Sequence, residues 1–381
     1  MTPAARVAAA IEVLDAVLAG EPAERALLRW SRARRFAGSG DRAAVRDLVF
    51  DALRRRDSLA GLGGGLSGRG LLIGALRDEG RDPAEIFTGE GHAPPPLTDG
   101  ETRPGDGGGW DLPGWLLPAW NESLGPEAGA VAQAMRRRAP VWLRVNGLRA
   151  DPASAQAALA AEGVGTRPFA ALPSALEVVA NERRIAQSRA YLDGLVELQD
   201  LSPQLACAAL PLVPGMRVLD YCAGGGGKAL ALAGREPDLS IVAHDADPGR
   251  MRDLPARATR AGARIAAGRQ PSGRFDLVLA DVPCSGSGTW RRTPDAKWRL
   301  TPEDLRELCD LQAQIIGKAA EYVVPRGFLA YMTCSLLEEE NGGRIADFLR
   351  GHEGFALERQ ACWTPLEASD GFYLALLRKA G

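Results

Sequence analysis

The sequence of 381 residues is poor in the features that usually mark metal sites, secreted scaffolds and membrane spans. It has three histidines and six scattered cysteines, and no CxxC pair indicates a zinc site or a disulfide framework. No run of about 18 uncharged apolar residues is present, so we expect no membrane-spanning helix. Glu12 and Asp15 interrupt the apolar N-terminal stretch, which argues against a signal peptide. We therefore expect a soluble protein of the reducing cytoplasm, with no metal and no membrane partner.

An excess of one charge is also missing, because 46 Lys and Arg face 48 Asp and Glu, for a net charge of −2. This global charge does not indicate nucleic-acid binding, so any RNA or DNA contact must use local basic patches. Only four lysines occur, and two of them, Lys228 and Lys297, lie in or beside the motifs described below. Since arginine is abundant throughout, an arginine run is weaker evidence for such a contact than a retained lysine.

Hydrophobic periodicity divides the chain into a helical first part and an α/β second part. Apolar residues recur at helical spacing between Val7 and Leu18 and again between Val45 and Leu53. Further along, strand patterns alternate with helix patterns, which predicts a doubly wound, Rossmann-like α/β sheet. We expect four regions: an all-helical domain at 1–85, a Pro- and Gly-rich linker at 86–112, connecting helices with a small α/β module at 113–200, and the main sheet domain at 201–381.

Reactive side chains follow three strand-like runs of the predicted sheet. A glycine-rich turn occupies residues 222–228, Cys284 follows the run 275–280, and Cys334 follows the run 328–332. Loops at the carboxyl ends of parallel strands converge on one crevice, so we expect the two thiols to meet there beside the glycine turn. Two thiols next to a nucleotide-shaped pocket suggest covalent chemistry on an electrophilic base.

The glycine turn lets backbone approach a ligand at a helix N-terminus. Its spacing excludes a phosphate-binding P-loop, which needs Gly where Cys222 stands and Ser or Thr where Ala229 stands. Asp245 follows the next strand and is placed to accept hydrogen bonds from ribose hydroxyls. Each feature alone also fits a structural role, a tight turn for the glycines and a helix cap for Asp245. Together they favour an adenosyl ligand.

The cysteine chemistry follows from how a thiolate activates a pyrimidine. Addition of sulfur to C6 makes C5 nucleophilic enough to attack an electrophilic methyl group, provided that the site lowers the pKa of the thiol. Asp281, three residues before Cys284, could hold the N3 edge of the base and favour its protonation. A second cysteine could then assist loss of the first. A cysteine is more often a buried small hydrophobe, which is the interpretation that we give to Cys207, Cys309 and Cys362.

Arginine runs are the candidate nucleic-acid contacts, although each run fits a solvated face equally well. They lie at 32–35, 54–56, 136–138 and 291–292, with Trp30, Trp290 and Trp298 nearby as candidate stacking partners. Arg291 and Arg292 are favoured because they follow the Cys284 loop.

At these residues the chain resembles the RsmB/Nop family of RNA 5-methylcytosine methyltransferases. The resemblance covers roughly residues 140–381, and the helical N-terminus resembles the NusB-like RNA-binding domain of bacterial members. The matching pieces, in family order, are Arg144-Val145-Asn146, Gln199-Asp200-Leu201-Ser202, residues 220–228, Asp245, residues 281–288, Pro294-Asp295 with Lys297-Trp298, Thr333-Cys334-Ser335 with Glu340-Asn341, and Asp370-Gly371-Phe372-Tyr373.

The resemblance implies S-adenosylmethionine as cofactor and RNA as substrate, with ribosomal RNA favoured and a monomer expected. It makes Cys334 the nucleophile that attacks C6 and Cys284 the residue that promotes breakdown of the adduct. Lys228 and Asp281 would position the flipped cytosine. The cofactor residues implied are Asp220, Cys222, Ala223, Gly224, Gly225, Gly226, Gly227, Lys228, Asp245, Arg250 and Asp281. The RNA contacts expected are Arg144, Arg291 and Arg292.

Two positions depart from the family pattern and keep alternatives open. Gly224 and Gly225 stand where the family usually has Ala-Pro, and residues 263–269 contain no carboxylate where a third cofactor acid is expected. One alternative is a tRNA cytosine methyltransferase. Another is an RNA-binding ribosome assembly factor whose cofactor site has decayed. A DNA methyltransferase is disfavoured, because DNA enzymes use the cysteine that follows proline, whereas this chain also has Cys334.

Overall fold

The computed structural model describes residues 1–103, 105–268 and 270–381. Pro104, within the predicted linker, and Arg269, at the end of the stretch without a third acid, lie outside the described residues. The helices are α1 (Pro3–Leu18), α2 (Ala23–Ala33), α3 (Ser39–Arg54), α4 (Arg56–Gly63), α5 (Gly68–Asp78), α6 (Leu117–Leu124), α7 (Ala128–Met135), α8 (Pro152–Ala161), α9 (Arg189–Leu192), α10 (Leu201–Ala208), α11 (Gly227–Arg235), α12 (Leu254–Ala261), α13 (Pro294–Arg299), α14 (Pro302–Glu321) and α15 (Gly342–Gly351). The strands are β1 (Val141–Val145), β2 (Gly165–Phe169), β3 (Leu172–Ala180), β4 (Val196–Leu198), β5 (Arg217–Asp220), β6 (Ser240–Ala243), β7 (Ile265–Ala267), β8 (Phe275–Asp281), β9 (Val323–Thr333), β10 (Phe355–Trp363) and β11 (Phe372–Lys379).

The larger sheet has seven strands in the order β10-β11-β9-β8-β5-β6-β7. Strand β5 pairs in parallel with both β6 and β8, so the strand order reverses at β5. Strand β8 buries Leu277 and Leu279 in one core and Val278 and Ala280 in another, because helices cover both faces of a sheet of this kind. The predicted doubly wound, Rossmann-like sheet is confirmed. Its reversal point is where such folds bind ligands.

A smaller antiparallel sheet, in the order β2-β3-β1-β4, belongs to the same compact unit as the larger one. This unit consists of Ala139–Thr289 and Glu303–Gly381. Helix α8 begins at an Asp151 cap, whose carboxylate accepts hydrogen bonds from the backbone N–H groups of Ala153 and Ser154. The small sheet buries its own apolar cluster, with Leu143, Leu159 and Leu176 fully buried.

Met1–Arg138 and Trp290–Pro302 form the other compact unit, whose described regular elements are all helical. Helix α1 begins at Thr2, whose hydroxyl accepts a hydrogen bond from Ala5 N–H. Apolar faces of α1, α2, α3 and α5 meet in one core. The predicted helical N-terminal domain is confirmed, whereas its NusB-like character stays a prediction.

The segment Trp290–Pro302 packs inside this helical unit, although it follows the Cys284 loop in the chain. Trp290 is fully buried and stacks on Trp120, with ring centroids 6.2 Å apart. The indole N–H of Trp298 donates to the Leu53 carbonyl over 2.7 Å. Helices α6 and α7, which lie in the predicted region 113–200, belong to the helical unit. The predicted domain boundaries stay predictions.

Strand β9 begins five residues before the predicted run at 328–332. Pro325 and Gly327 lie inside it, and both are residues that usually indicate a turn. Arg326 has a φ of +62°, and the pairing with β8 shifts register at this point, so the strand passes through an irregularity instead of ending.

Among the described residues, no single helix is long and apolar enough to cross a membrane, although α4 and α5 taken together pass the same test of length and composition with an 88° bend between them. Within residues 1–103, 105–268 and 270–381, no group of three or more His, Cys, Asp or Glu side chains is arranged to hold a metal ion.

Candidate functional site

The two cysteines lie at the carboxyl ends of neighbouring parallel strands. Cys284 follows β8 by three residues and Cys334 follows β9 directly. Their Sγ atoms are 3.4 Å apart, and both side chains are half-buried. The structure therefore brings the two candidate thiols into hydrogen-bond contact at the edge of the sheet where ligands bind in this fold.

The loops that carry the cysteines are hydrogen-bonded to each other through backbone and hydroxyl groups. Gly288 N–H donates to the Cys334 carbonyl over 2.9 Å. The hydroxyls of Ser287 and Ser335 are 2.9 Å apart, and Ser287 also accepts from Leu336 N–H over 2.8 Å. These bonds fix the two loops as one structure, so the distance between the thiols is set by the backbone.

The buried carboxylate of Glu340 is hydrogen-bonded to both loops. It accepts hydrogen bonds from Ser285 N–H over 2.8 Å and from the Gln312 side chain over 2.9 Å. The hydroxyls of Ser285 and Ser335 also donate to it. With four donors, the charge of Glu340 is compensated despite complete burial. The sequence placed Glu340 in a family motif but gave it no role, because its donors come from three separate segments.

The hydrogen bond between the thiols makes them chemically unequal. The two sulfurs share one hydrogen bond, and this bond, together with burial, raises the pKa of Cys284 well above its usual value, which makes Cys284 the S–H donor once Cys334 is ionised. The same bond lowers the pKa of Cys334, against the opposing effect of its burial. Cys334 is therefore the thiol that ionises first, and an ionised thiol is the nucleophilic form.

Lys228 and Asp281 form a hydrogen-bonded ion pair. In the folded protein this pair lies beside the two cysteines. Burial acts to lower the pKa of Lys228, but the charge and hydrogen bond of Asp281, together with the neighbouring Cys207 and Asp220, outweigh it and the net pKa is raised. Lys228 Nζ also lies 5.2 Å from the ring centroid of Phe372. The structure thus places a permanent ammonium and a carboxylate together, as a pair that could contact a polar base edge.

The glycine turn between β5 and α11 adopts backbone conformations that favour glycine. Gly224 has a φ of +49° and Gly226, the N-cap of α11, a φ of +79°. A Cβ atom on Gly226 would lie 2.2 Å from Leu254 Cδ1. Gly224 N–H donates to Asp245 Oδ2 over 2.9 Å, so the turn is tied to the end of the neighbouring strand β6.

The residues around the turn fit an adenosyl cofactor. Asp220 Oδ1 is buried and, among the described residues, has no hydrogen-bond partner. Its other oxygen, Oδ2, accepts from Ala229 N–H over 3.2 Å, and burial raises the pKa of Asp220 to about 7. Asp245 is also buried, and Arg250 lies 3.4 Å from its Oδ2. Cys222 has its pKa raised to about 12 by burial, so it is an inert thiol beside Ala223, not a third nucleophile.

Comparison with known proteins shows which family the chain belongs to. A family model described as 16S rRNA methyltransferase RsmB/F matches residues 207–378, and a model of the RsmF/B-like ferredoxin-like domain matches residues 112–183. Ribosomal RNA small subunit methyltransferase B of Vibrio cholerae is 32% identical over 327 residues, which are 82% of this chain and 72% of the relative. Its namesake in Xanthomonas campestris is 34% identical over 300 residues, 72% of this chain and 68% of the relative. The chain belongs to the RsmB/Nop family of methyltransferases.

Solved structures confirm the family fold. The crystal structure of PH0851 matches with a TM-score of 0.78 at 22% identity, over 100% of this chain and 99% of that one. NSun6 from Pyrococcus horikoshii, solved with SFG, matches with a TM-score of 0.62 at 17% identity, over 71% of this chain and 98% of that one.

The cysteines lie together at the sheet edge as predicted, whereas two of the three arginines predicted to contact RNA are buried. Arg144 is buried in this RsmB/Nop chain, and its guanidinium donates to the Gly227 carbonyl over 2.8 Å. Arg291 is also buried, with its carbonyl accepting a hydrogen bond from Arg54, and it lies in the helical unit with the half-buried Arg292. Buried guanidinium groups offer little surface to a phosphate, so RNA contact by these residues stays a prediction.

Proposed function

We propose that this RsmB/Nop methyltransferase methylates C5 of a cytosine in ribosomal RNA, with S-adenosylmethionine as methyl donor and Cys334 as nucleophile. The observation that carries the proposal is the pair of thiols, 3.4 Å apart and opposite in the direction of their pKa shifts. Relatives named as ribosomal RNA small subunit methyltransferase B support the substrate class. The neighbour solved with SFG, an S-adenosylmethionine analogue, supports the cofactor.

The first step forms a bond between Cys334 sulfur and C6 of the cytosine. The C5–C6 π electrons then form a C4–C5 double bond and the C4–N3 π electrons move onto N3, so C5 becomes nucleophilic and negative charge builds on the N3 and O2 edge. The ammonium of Lys228 would stabilise this charge, and Asp281, hydrogen-bonded to it, would hold the same edge of the base. S-adenosylmethionine, when bound, supplies an electrophilic methyl group to C5.

Release of the product breaks the bond between Cys334 sulfur and C6. The C5 proton passes to a water molecule, its electron pair forms the C5–C6 double bond, and Cys334 leaves as a thiolate. A hydrogen bond from the Cys284 S–H would stabilise this thiolate, because the two sulfurs are 3.4 Å apart and the contact lowers the pKa of Cys334. The same contact therefore assists ionisation of Cys334 before the addition and its departure afterwards.

The cofactor would lie against the glycine turn, between Asp220 and Asp245. Glycine at positions 224–227 leaves backbone accessible there, and Asp220 Oδ1, which has no hydrogen-bond partner in the described part of the chain, offers an acceptor to a ligand donor. Asp245 would accept hydrogen bonds from the ribose hydroxyls while keeping its bond to Gly224 N–H. No carboxylate occupies 263–268, so adenine recognition would rest on backbone and apolar contacts in this stretch.

The helical unit offers a basic surface that supports RNA as the substrate. Residues 23–36 contain five arginines and one acid, whereas the whole chain has a net charge of −2. Arg32 and Arg35 are exposed, and Phe36 is 75% exposed beside them. Trp30 and Trp290, in contrast, are buried in the core. Exposed guanidinium groups with an exposed aromatic ring are the groups that bind phosphates and stack on unpaired bases.

Bisulfite sequencing of RNA from a deletion strain, complemented with wild type or with Cys334→Ala, tests the proposal. We expect one or more ribosomal cytosines to lose their protection from bisulfite conversion in the deletion strain. Complementation with the wild-type protein should restore this protection, and complementation with Cys334→Ala should not. Protection lost in tRNA instead would move the substrate to tRNA. If calorimetry detects no S-adenosylmethionine binding by the purified protein, the chain is an RNA-binding assembly factor and not an enzyme.

A further inference from the structure

Two carbonyls of the glycine turn accept hydrogen bonds from arginine side chains that come from other elements. Arg257 on α12 donates to the Gly225 carbonyl. Arg144 on β1 donates to the Gly227 carbonyl over 2.8 Å, and the Gln199 amide lies 3.4 Å from the same oxygen. Four consecutive glycines have more conformational freedom to lose on folding than any other sequence, roughly 0.5–1 kcal/mol per glycine relative to alanine. The turn is therefore ordered by contacts from outside its own sequence.

Arg257 is itself held in place by a buried carboxylate of the small sheet. Glu197 on β4 is 5% exposed, and its Oε1 lies 3.4 Å from an Arg257 nitrogen. The other oxygen, Oε2, accepts from Arg260 over 2.6 Å. Arg260 in turn lies over the Tyr191 ring, 4.3 Å from its centroid. Glu197 thus binds two arginines of α12, and one of them, Arg257, contacts the glycine turn.

The identity of residue 225 is explained by the guanidinium and not by the backbone. Gly224 and Gly226 have positive φ values, but Gly225 does not, so its backbone conformation is open to other residues. A Cβ atom at position 225 would lie 2.7 Å from Arg257 Nη1. A side chain there would therefore displace the guanidinium from the carbonyl that it binds. Glycine at 225 and arginine at 257 form a matched pair.

We propose that Arg257, oriented by Glu197, is a positioning residue for cofactor binding, because it fixes the Gly225 carbonyl and so orders the turn before the ligand arrives. This inference rests on the proposed function in one respect, that the turn receives S-adenosylmethionine. The small sheet, through Glu197, then contributes to the cofactor site as well as to its own fold. Ordering a loop in advance improves affinity by removing an entropy cost from binding.

The test compares Arg257→Gln with Arg260→Gln in the full-length protein. Both variants remove one cation from Glu197, and of the two residues Arg257 is the one described against the turn. We expect Arg257→Gln to weaken S-adenosylmethionine binding in calorimetry about tenfold and to raise the KM for this cofactor in proportion, with KM for RNA and kcat unchanged. Arg260→Gln should keep cofactor affinity within about twofold. Equal losses of affinity in the two variants, or no loss in Arg257→Gln, would overturn the proposal.

A second comparison uses the steric relation between residues 225 and 257. Gly225→Ala should weaken cofactor binding to about the same extent as Arg257→Gln, and the double variant should be no weaker than either single variant. If the loss of cofactor affinity in the double variant equalled the product of the losses in the two single variants, the two residues would act independently, which would contradict the proposal.

Hydrogen exchange of the turn amides in the ligand-free protein separates this inference from the proposed function. Faster exchange at 226–228 in Arg257→Gln than in Arg260→Gln is expected even if wild type fails to bind S-adenosylmethionine. In that case the proposed function fails while the ordering of the turn by Arg257 stands. Equal exchange in the two variants would refute the ordering role whatever the cofactor result.

Discussion

The cysteine loops and the glycine turn are short connections at the carboxyl end of the same sheet, but they are held in different ways. The cysteine loops bond mainly to each other, through Gly288, Ser287 and Ser335, and to the buried Glu340 just beyond Cys334. The glycine turn depends on Asp245 and on arginines from α12 and β1. One region is held largely by its own short motifs and the other by distant side chains.

This difference indicates where each region is vulnerable. A change inside the cysteine loops alters the reacting sulfurs directly, because few other groups set their geometry. The turn responds to changes far from it in sequence, such as at Glu197, and should lose cofactor affinity without losing chemistry. Substitutions in the cysteine loops should therefore lower kcat, whereas substitutions around the turn should raise the KM for the cofactor.

The largest effect is expected at the thiols themselves. Cys334→Ala removes the atom that bonds to C6, so methylation should fall by about 10⁴-fold or more. Cys284→Ala keeps the nucleophile but loses the S–H that stabilises it as a leaving group, so a covalent protein–RNA adduct should accumulate. Denaturing electrophoresis with labelled RNA distinguishes the two variants, because only a covalent adduct keeps the label on the protein. An adduct formed by Cys334→Ala would reverse the two roles.

A smaller but still large effect is expected from Glu340→Gln. The amide keeps the shape and can keep an oxygen facing the N–H of Ser285 and the amide of Gln312, but its NH2 group replaces the oxygen that accepts from the hydroxyls of Ser285 and Ser335, and the negative charge is lost. Hydrogen bonds to a charged group contribute roughly 1.5–3 kcal/mol each, so we expect kcat to fall about 100-fold and the cofactor KM to stay constant. Neighbouring Glu339 is exposed, and Glu339→Gln should behave as wild type. A change confined to the cofactor KM would contradict the separation of the two regions.

Within the glycine turn, Gly226→Ala should have a larger effect than Gly225→Ala. Alanine at 226 is strained by the φ of +79° and meets Leu254 Cδ1 at 2.2 Å, whereas alanine at 225 meets a flexible guanidinium. The left-handed conformation alone costs roughly 1–2 kcal/mol. We expect Gly226→Ala to lower the midpoint of thermal unfolding and to weaken cofactor binding more than tenfold, with calorimetry and scanning fluorimetry as the measurements. Equal effects at both positions would remove the steric argument for Arg257.

The parts of this site that the sequence could predict are the ones built from local patterns. Strand-like runs followed within a few residues by Cys284 and directly by Cys334 were enough to predict that the thiols meet, because parallel strands end at one edge of a sheet. The pairing of Glu197 with Arg257 was not predictable, since 60 residues separate them and neither belongs to a motif. Pairings of this kind depend on which surfaces meet after folding, and the same holds for the segment 290–302, which packs on helices at the start of the chain.

The smallest effect concerns pH and tests whether the cysteine region is independent of the turn. Alkylation of Cys334 by iodoacetamide in RNA-free protein, followed by mass spectrometry, should rise with pH as the thiolate forms. The bond from Cys284 lowers the pKa of Cys334, so in wild type the rise should occur below the pH of an ordinary thiol. Cys284→Ala removes this bond and leaves burial, which raises the pKa, so its profile should move to higher pH. Arg257→Gln should leave the profile unchanged, because the arginine orders the turn and takes no part in the contact between the sulfurs. A shift in Arg257→Gln, or none in Cys284→Ala, would show that the two regions are coupled after all.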